Sequence, residues 1–149
     1  MADAINADCR RDFFPAHHTS GLRHLTDIRW IVLHDEEAPD ARGSAQYFKN
    51  PNSGGSAHLC VDKDACYRCL PNEAIPWGAA SAFGANQHGF HIEQAGYASW
   101  SEQEWEAHLG ELDRGAFKAA WHAKLFHVPV EFVTAARSEE RRVGKECRL

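Results

Sequence analysis

Apolar and polar positions alternate with different periods along the chain, and each change of period marks an element. Residues 28–34, Ile-Arg-Trp-Ile-Val-Leu-His, form a nearly continuous apolar run rich in β-branched and aromatic side chains. Such a run predicts a strand buried on both faces, hence central in a sheet covered by helices. Pro39 and Asp40 then open a short helix over 41–48, with Asp40 as its N-cap. The Asn/Ser/Gly-rich stretch 50–55 is a loop by composition. Segments 56–62 and 66–70 read as two strands joined by the turn at 62–65, a hairpin. Residues 71–87 form a loop with Trp77 and Gly78 at its middle, and 89–95 reads as a further strand. By the two-residue period Phe90, Ile92 and Gln94 share one face of that strand, while His91 and Glu93 share the other. Ser101 and Glu104 make a capping box that starts a long helix. Its apolar positions Trp105, Leu109, Leu112, Ala116, Ala120 and Leu125 fall at helical spacing, with Gly110 and Gly115 as weak points. Pro129 ends it, and 130–134 looks like one more strand. The order strand, helix, hairpin, strand, helix, strand predicts an α/β domain: a mixed β-sheet flanked by helices.

Composition narrows the class. A chain of 149 residues with 44% hydrophobic and 25% charged side chains is long enough for one good core. Its net charge of −5 disfavours a nucleic-acid binder held by phosphate contacts. No apolar run approaches the roughly 20 residues that span a bilayer, so no membrane insertion is expected. The start of the chain shows no secretory signal, and residues 1–27 read as a polar N-terminal arm with little regular structure. Five cysteines (9, 60, 66, 69 and 147) at irregular spacing are then expected as reduced thiols in a cytosolic setting. Cys66-x-x-Cys69 falls in a strand, where residues three apart point to opposite faces, so structural thiols are expected rather than a redox pair.

Residues 137–149 differ from the rest. They hold five cationic and three acidic side chains with Val143 and Leu149 as their only aliphatic residues. A solvated tail would look like this, but residues 137–148 also resemble an in-frame translation of a common short-read sequencing adapter. The latter reading expects a natural gene cut near Ala136 and a non-native tail after it. It divides the chain into an arm at 1–27, a domain at 28–136 that is incomplete at its C-terminal end, and the tail at 137–149.

Two residues stand out as chemistry. His34 ends the apolar strand, and ligands of open α/β sheets collect beyond the carboxyl ends of strands; a neutral imidazole there suits zinc, or is simply a hydrogen-bonded strand end. Glu93 interrupts an otherwise core-like strand, where a carboxylate is either functional or on a solvated face; partial burial would raise its pKa toward that of a general base.

Taken in order, the strand ending in His34, Ser56-Ala-His58 before the hairpin, Ile75-Pro-Trp77 in the loop and Phe90-His-Ile-Glu93-Gln-Ala-Gly96 resemble the zinc-dependent N-acetylmuramoyl-L-alanine amidase family, related to phage lysozyme-amidases and peptidoglycan recognition proteins. The resemblance covers residues 28–134, and Gly96-Tyr-Ala-Ser-Trp100 looks closest to phage endolysins. It implies a mixed sheet with one Zn2+ in a cleft on its face, His34 as the first metal ligand and Glu93 as the carboxylate that takes a proton from the attacking water. Peptidoglycan is the implied substrate, cut at the amide between N-acetylmuramic acid and L-alanine. His58, Trp77 and His91 are the substrate-side candidates, with a structural role open for each; Tyr97 is open in the same way. Asp35, Glu36 and Glu37 read as a solvated acidic loop, one of which could orient His34. The implied localisation is the host cytoplasm until a partner releases the enzyme to the wall.

The chain departs from the family pattern in three places. Positions for the second zinc His and the Asp or Cys ligand have no match, so an inactive fragment with weak zinc retention is expected. Gly78 stands after the loop Trp where family members often have His. His91 stands where they often have Gly, on the face of Glu93. A non-catalytic peptidoglycan-binding module of the same fold is the main rival reading, and a small CxxC zinc or redox protein is a second.

Overall fold

A computed structural model of the chain describes residues 8–79 and 84–131. Five strands make one mixed sheet: β1 (Cys9–Arg10), β2 (Trp30–Asp35), β3 (Leu59–Val61), β4 (Cys66–Arg68) and β5 (Gly89–Gln94). Their order is β1-β4-β3-β5-β2, antiparallel only between β3 and β4. Helices α1 (Ala41–Lys49), α2 (Ala85–His88), α3 (Glu102–Ala107) and α4 (Leu109–Phe126) complete the single domain. The α/β fold read from the sequence is the observed one.

The two faces of the sheet bury different material. On one, α1 packs Ala41, Ala45 and Phe48 over Cys60, Tyr67 and Leu70. The helix starts where the sequence places it: the Asp40 carboxylate accepts from the Gly43 amide at 2.8 Å, and Asp62 reaches across from the β3–β4 turn to accept from the Ala41 amide at 2.9 Å. On the other face, Leu59, Val61, Phe90 and Ile92 form a second apolar cluster, flanked by Ala119 and Phe126 of α4.

Several expectations are corrected. The apolar run at 28–34 is not a central strand: among the described strands β2 lies at the edge, with Leu33 half exposed, while β5 is buried along its whole length. An apolar run reports burial tendency but not pairing order, and β5, whose sequence is more polar, took the inner position. The single long helix is two, broken at His108. The buried face of α4 is Glu111, Gly115, Lys118, His122 and Ala123, whereas Leu109 of the expected stripe is exposed. Three contacts set this rotation. A Cβ at 115 would overlap the side chain of Gln94, so glycine lets α4 close onto β5 there. Lys118 pairs with Asp8 at 2.6 Å and His122 stacks on Phe90 at 4.2 Å between ring centroids, which makes these polar residues fit for burial.

The N-terminal arm is also more ordered than its composition suggests. β1 pairs parallel with β4 and sets Cys9 directly opposite Cys66, and the two form a disulfide. The expectation of reduced thiols therefore holds for Cys60 and Cys69, which are free and buried, and fails for Cys9 and Cys66. Cys66 and Cys69 do fall on opposite faces, one in each apolar cluster. Val130 and Glu131 are not in a strand; the rest of the strand expected over 130–134, Cys147 and the tail at 137–149 lie outside the described residues. No helix among the described residues is long and apolar enough to cross a membrane.

Candidate active site

Parallel pairing of β2 with β5 puts His34 directly opposite Glu93 and Val32 opposite His91. Because side chains alternate, His34, His91 and Glu93 all project from the face that α1 covers only in part. The loop from β2 into α1 and the first turns of that helix enclose a cleft of about 320 Å³, and Glu93 is part of its wall with Glu36, Ser44 and Phe48.

Glu93 is buried at 7% exposure, and burial, with help from the Asp35 charge, pushes its carboxyl up to about 8. Beside it Glu36 is pushed up to about 9, again chiefly by burial, with the neighbouring acids Glu93, Asp62 and Asp40 adding to the effect. Both Glu36 carboxyl oxygens are buried, and the Ser44 side chain opposes part of the upward shift. The acidic triplet after β2 is thus not a solvated loop as a whole. Glu37 accepts from the Ala98 amide at 2.8 Å, and Glu36 turns inward. Strand parity carries that signal in the sequence, since position 36 follows His34 by two residues.

The imidazoles form a buried group. His34 is half buried, and desolvation lowers its pKa against the opposing pull of Asp35. His91 is fully buried and pushed down to about 4, mainly by burial. Nε2 of His34 lies 3.0 Å from Nδ1 of His91, and Nε2 of His91 lies 2.8 Å from the Ala85 carbonyl oxygen. His58 stands apart from this face. Fully buried and stacked on Phe90 at 4.4 Å, it accepts the His91 amide on Nδ1 and donates from Nε2 to the Ala74 carbonyl. Both of its ring nitrogens are thus engaged within the protein. Trp77 belongs to a different cleft of about 500 Å³ with Ser20, Gly54 and Asn86. It is 42% exposed, stacks on His18 at 4.5 Å and donates from its indole to Ser20 at 2.7 Å. Tyr97 packs edge-on to Trp100 at 5.5 Å. The structure therefore places His34, His91 and Glu93 on one face of the sheet, with only Glu93 on the wall of the first cleft, puts Trp77 in a second cleft and buries His58.

Sequence reasoning missed Arg23. Its guanidinium donates to the carbonyls of Asn86 (2.8 Å), Gln87 (3.0 Å) and Gly89 (2.8 Å), fixing α2 against β5. Nothing in a polar N-terminal segment distinguishes such an arginine from a solvated one.

The zinc implied by the resemblance was tested on the donor set. Among the described residues no group of three or more His, Cys, Asp or Glu side chains is placed to hold a metal ion. One nitrogen of His34 is already engaged by His91. The described residues therefore do not fit a zinc centre by themselves.

Known proteins agree with the fold. A family model described as N-acetylmuramoyl-L-alanine amidase matches residues 24–120, a stretch that includes His34, His58, Trp77, His91 and Glu93. The chain is 23% identical to the N-acetylmuramoyl-L-alanine amidase CwlH of Bacillus subtilis (strain 168) over 93% of its own length and 54% of that protein's, so it spans about half of this curated relative. The catalytic domain of XlyA superposes with a TM-score of 0.62 at 22% identity, over 80% of this chain and 77% of that one. A mutant endolysin from Bacillus subtilis gives 0.62 at 21%, over 78% and 73%. At these identities the structural likeness is one of fold. With well over half of its residues matched by that family model, the chain belongs to the N-acetylmuramoyl-L-alanine amidase family.

Proposed function

We propose that this chain carries a peptidoglycan amidase site that cuts the amide between the lactyl group of N-acetylmuramic acid and L-alanine. The observation that supports this most is Glu93: a buried carboxyl, opposite His34 in register and on the wall of a cleft, whose pKa burial pushes up to about 8. An ionised carboxylate of raised pKa is a competent base. It takes a proton from the water whose oxygen bonds to the amide carbon, and returns it to the L-alanine nitrogen as the carbon–nitrogen bond breaks. A cleft wall of neutral acid at Glu36 favours this by adding no second full charge beside the base. Zinc enters as the expected partner of His34. Because the described residues do not complete its site, weak metal retention and little activity are expected of the 149 residues alone. A phage origin and release from a host cytoplasm belong to the same proposal through the resemblance at 96–100.

Purified peptidoglycan incubated with the chain in excess Zn2+ should yield new L-alanine amino termini, slowly. Glu93→Gln should cut that rate by about 10²–10⁴-fold. Release of reducing sugar instead, or an unchanged rate in Glu93→Gln, rejects the proposal. Wall binding with no bond cleaved at any zinc concentration, both by this chain and by a longer form that supplies the missing ligands, selects the non-catalytic binding module.

A further inference from the structure

Hydrogen-bond chemistry fixes the protons on the two histidines of the α1 face. A backbone carbonyl only accepts, so the 2.8 Å contact of Ala85 with Nε2 of His91 requires a proton on that nitrogen. In a neutral ring Nδ1 of His91 is then an acceptor. The 3.0 Å contact with His34 can form only if Nε2 of His34 carries the proton, which leaves the lone pair of His34 on Nδ1.

The surroundings of His91 hold this arrangement in place. A Cβ at position 78 would overlap Nδ1 of His91, and a Cβ at position 89 would overlap the Ala85 carbonyl and lie 2.6 Å from Nε2 of His91. Two side chains are thus absent where the ring and its carbonyl need the space. Asn86 fastens the first of these backbones, accepting from the amides of Gly78 at 3.2 Å and Ala79 at 2.8 Å and donating to the Ala79 carbonyl at 2.7 Å. Arg23 fastens the second through the Gly89 carbonyl. The His91 backbone amide is itself tied to Nδ1 of His58 at 3.0 Å.

We propose that His91 is a positioning residue for His34: held between Gly78 and Gly89 and keyed by the Ala85 carbonyl, it accepts the Nε2 proton of His34, so His34 meets any ligand through Nδ1 alone. The proposal rests on the same site as the amidase reading and says which atom of His34 that site can use. It also explains why Gly78 and His91 occur together, since a side chain at 78 and an imidazole at 91 compete for one volume.

Nitrogen-15 spectra of the histidine side chains in the intact chain test this without any substrate or metal. Nε2 should be protonated in both rings, and a scalar coupling should cross the hydrogen bond from Nε2 of His34 to Nδ1 of His91. Gly78→Ala should displace the ring and abolish that coupling with the backbone amide spectrum otherwise preserved. His91→Asn, whose side-chain oxygen can replace Nδ1 as acceptor, should keep the Nε2 proton of His34 in slow exchange with water, whereas His91→Phe should lose that protection. A proton on Nδ1 of either neutral ring in the unaltered chain, or equal exchange protection in the Asn and Phe variants, overturns the proposal. If His91→Phe does not fold, the unaltered chain and Gly78→Ala still decide it. Failure of peptidoglycan cleavage leaves these spectra untouched, so the two readings fail separately.

Discussion

Strand β5 serves two faces that are built on opposite rules. Toward α4 it presents Phe90 and Ile92, both fully buried, and even the histidines there behave as flat core: His58 and His122 stack on Phe90 at 4.4 and 4.2 Å. Toward α1 it presents His91 and Glu93, also buried, but against a helix of small residues (Ala41, Ser44 and Ala45) that leaves a cleft over the carboxyl. Burial alone does not separate the two faces. What separates them is whether the buried polar group is packed on an apolar ring or, like Glu93, lines a cleft. The α4 face holds the strand in place, and the α1 face opens a cleft beside it.

The largest expected difference follows from packing. Phe90→Ala removes a ring enclosed by two imidazoles and Phe126 and should destabilise the fold by about 3–5 kcal/mol in denaturant unfolding. A loss below about 1 kcal/mol would mean that the stacked histidines re-close over the gap and that this face is not the framework.

Titration should next separate the carboxyls of the α1 face from His122, with opposite signs, while His91 on the α1 face shares the sign of His122. Glu93 holds its proton more tightly in the folded chain, up to about 8 from 4.5, so its contribution is complete at low pH and is lost as pH rises through that window. Glu36 acts in the same direction up to about 9. His122 is pushed down to about 4 from 6.5, mainly by burial, with Arg68 and Lys118 adding to it; its contribution is complete above 6.5 and is lost as pH falls toward 4. Each group changes stability by at most about 1.4 kcal/mol per pH unit while it titrates. Midpoints of urea unfolding measured from pH 4 to 9 should show Glu93→Gln flattening the alkaline limb and His122→Phe flattening the acid limb. Either variant acting on the other limb would break the assignment of these two shifts.

How far the sequence disclosed this depends on the range of the interactions involved. Local signals held: the β-branched run before His34, the Asp40 cap, the turn at 62–65 and the Ser101 capping box all act within a few residues, and each element stands where it was expected, within a few residues. Strand parity likewise put His91 and Glu93 on one face. Features requiring distant partners were not legible. The edge position of β2, the Cys9–Cys66 link and the burial of Lys118 and His122 each depend on a residue more than thirty positions away that no local pattern names. The same holds for the site. His34 and Glu93 could be nominated separately, but their opposition in register, the inward turn of Glu36 and the His34–His91 bond exist only after β2 and β5 pair.

The smallest expected effect tests whether the faces are energetically separate. Asp40→Ala deletes one of two carboxylates at the start of α1, while Asp62 keeps its bond to the Ala41 amide. The cost should be about 1 kcal/mol. Asp40 and Phe90 lie on opposite sides of the sheet, and the hydrogen bond of one and the ring contacts of the other involve different residues. Combining Asp40→Ala with Phe90→Ala should therefore give the sum of the single losses to within about 0.5 kcal/mol in a double-mutant cycle. An interaction well above that would require β5 to transmit a shift from one face to the other, and Glu93, two residues along the strand from His91 and on the wall of the α1 cleft, would then report changes in the core through its pKa.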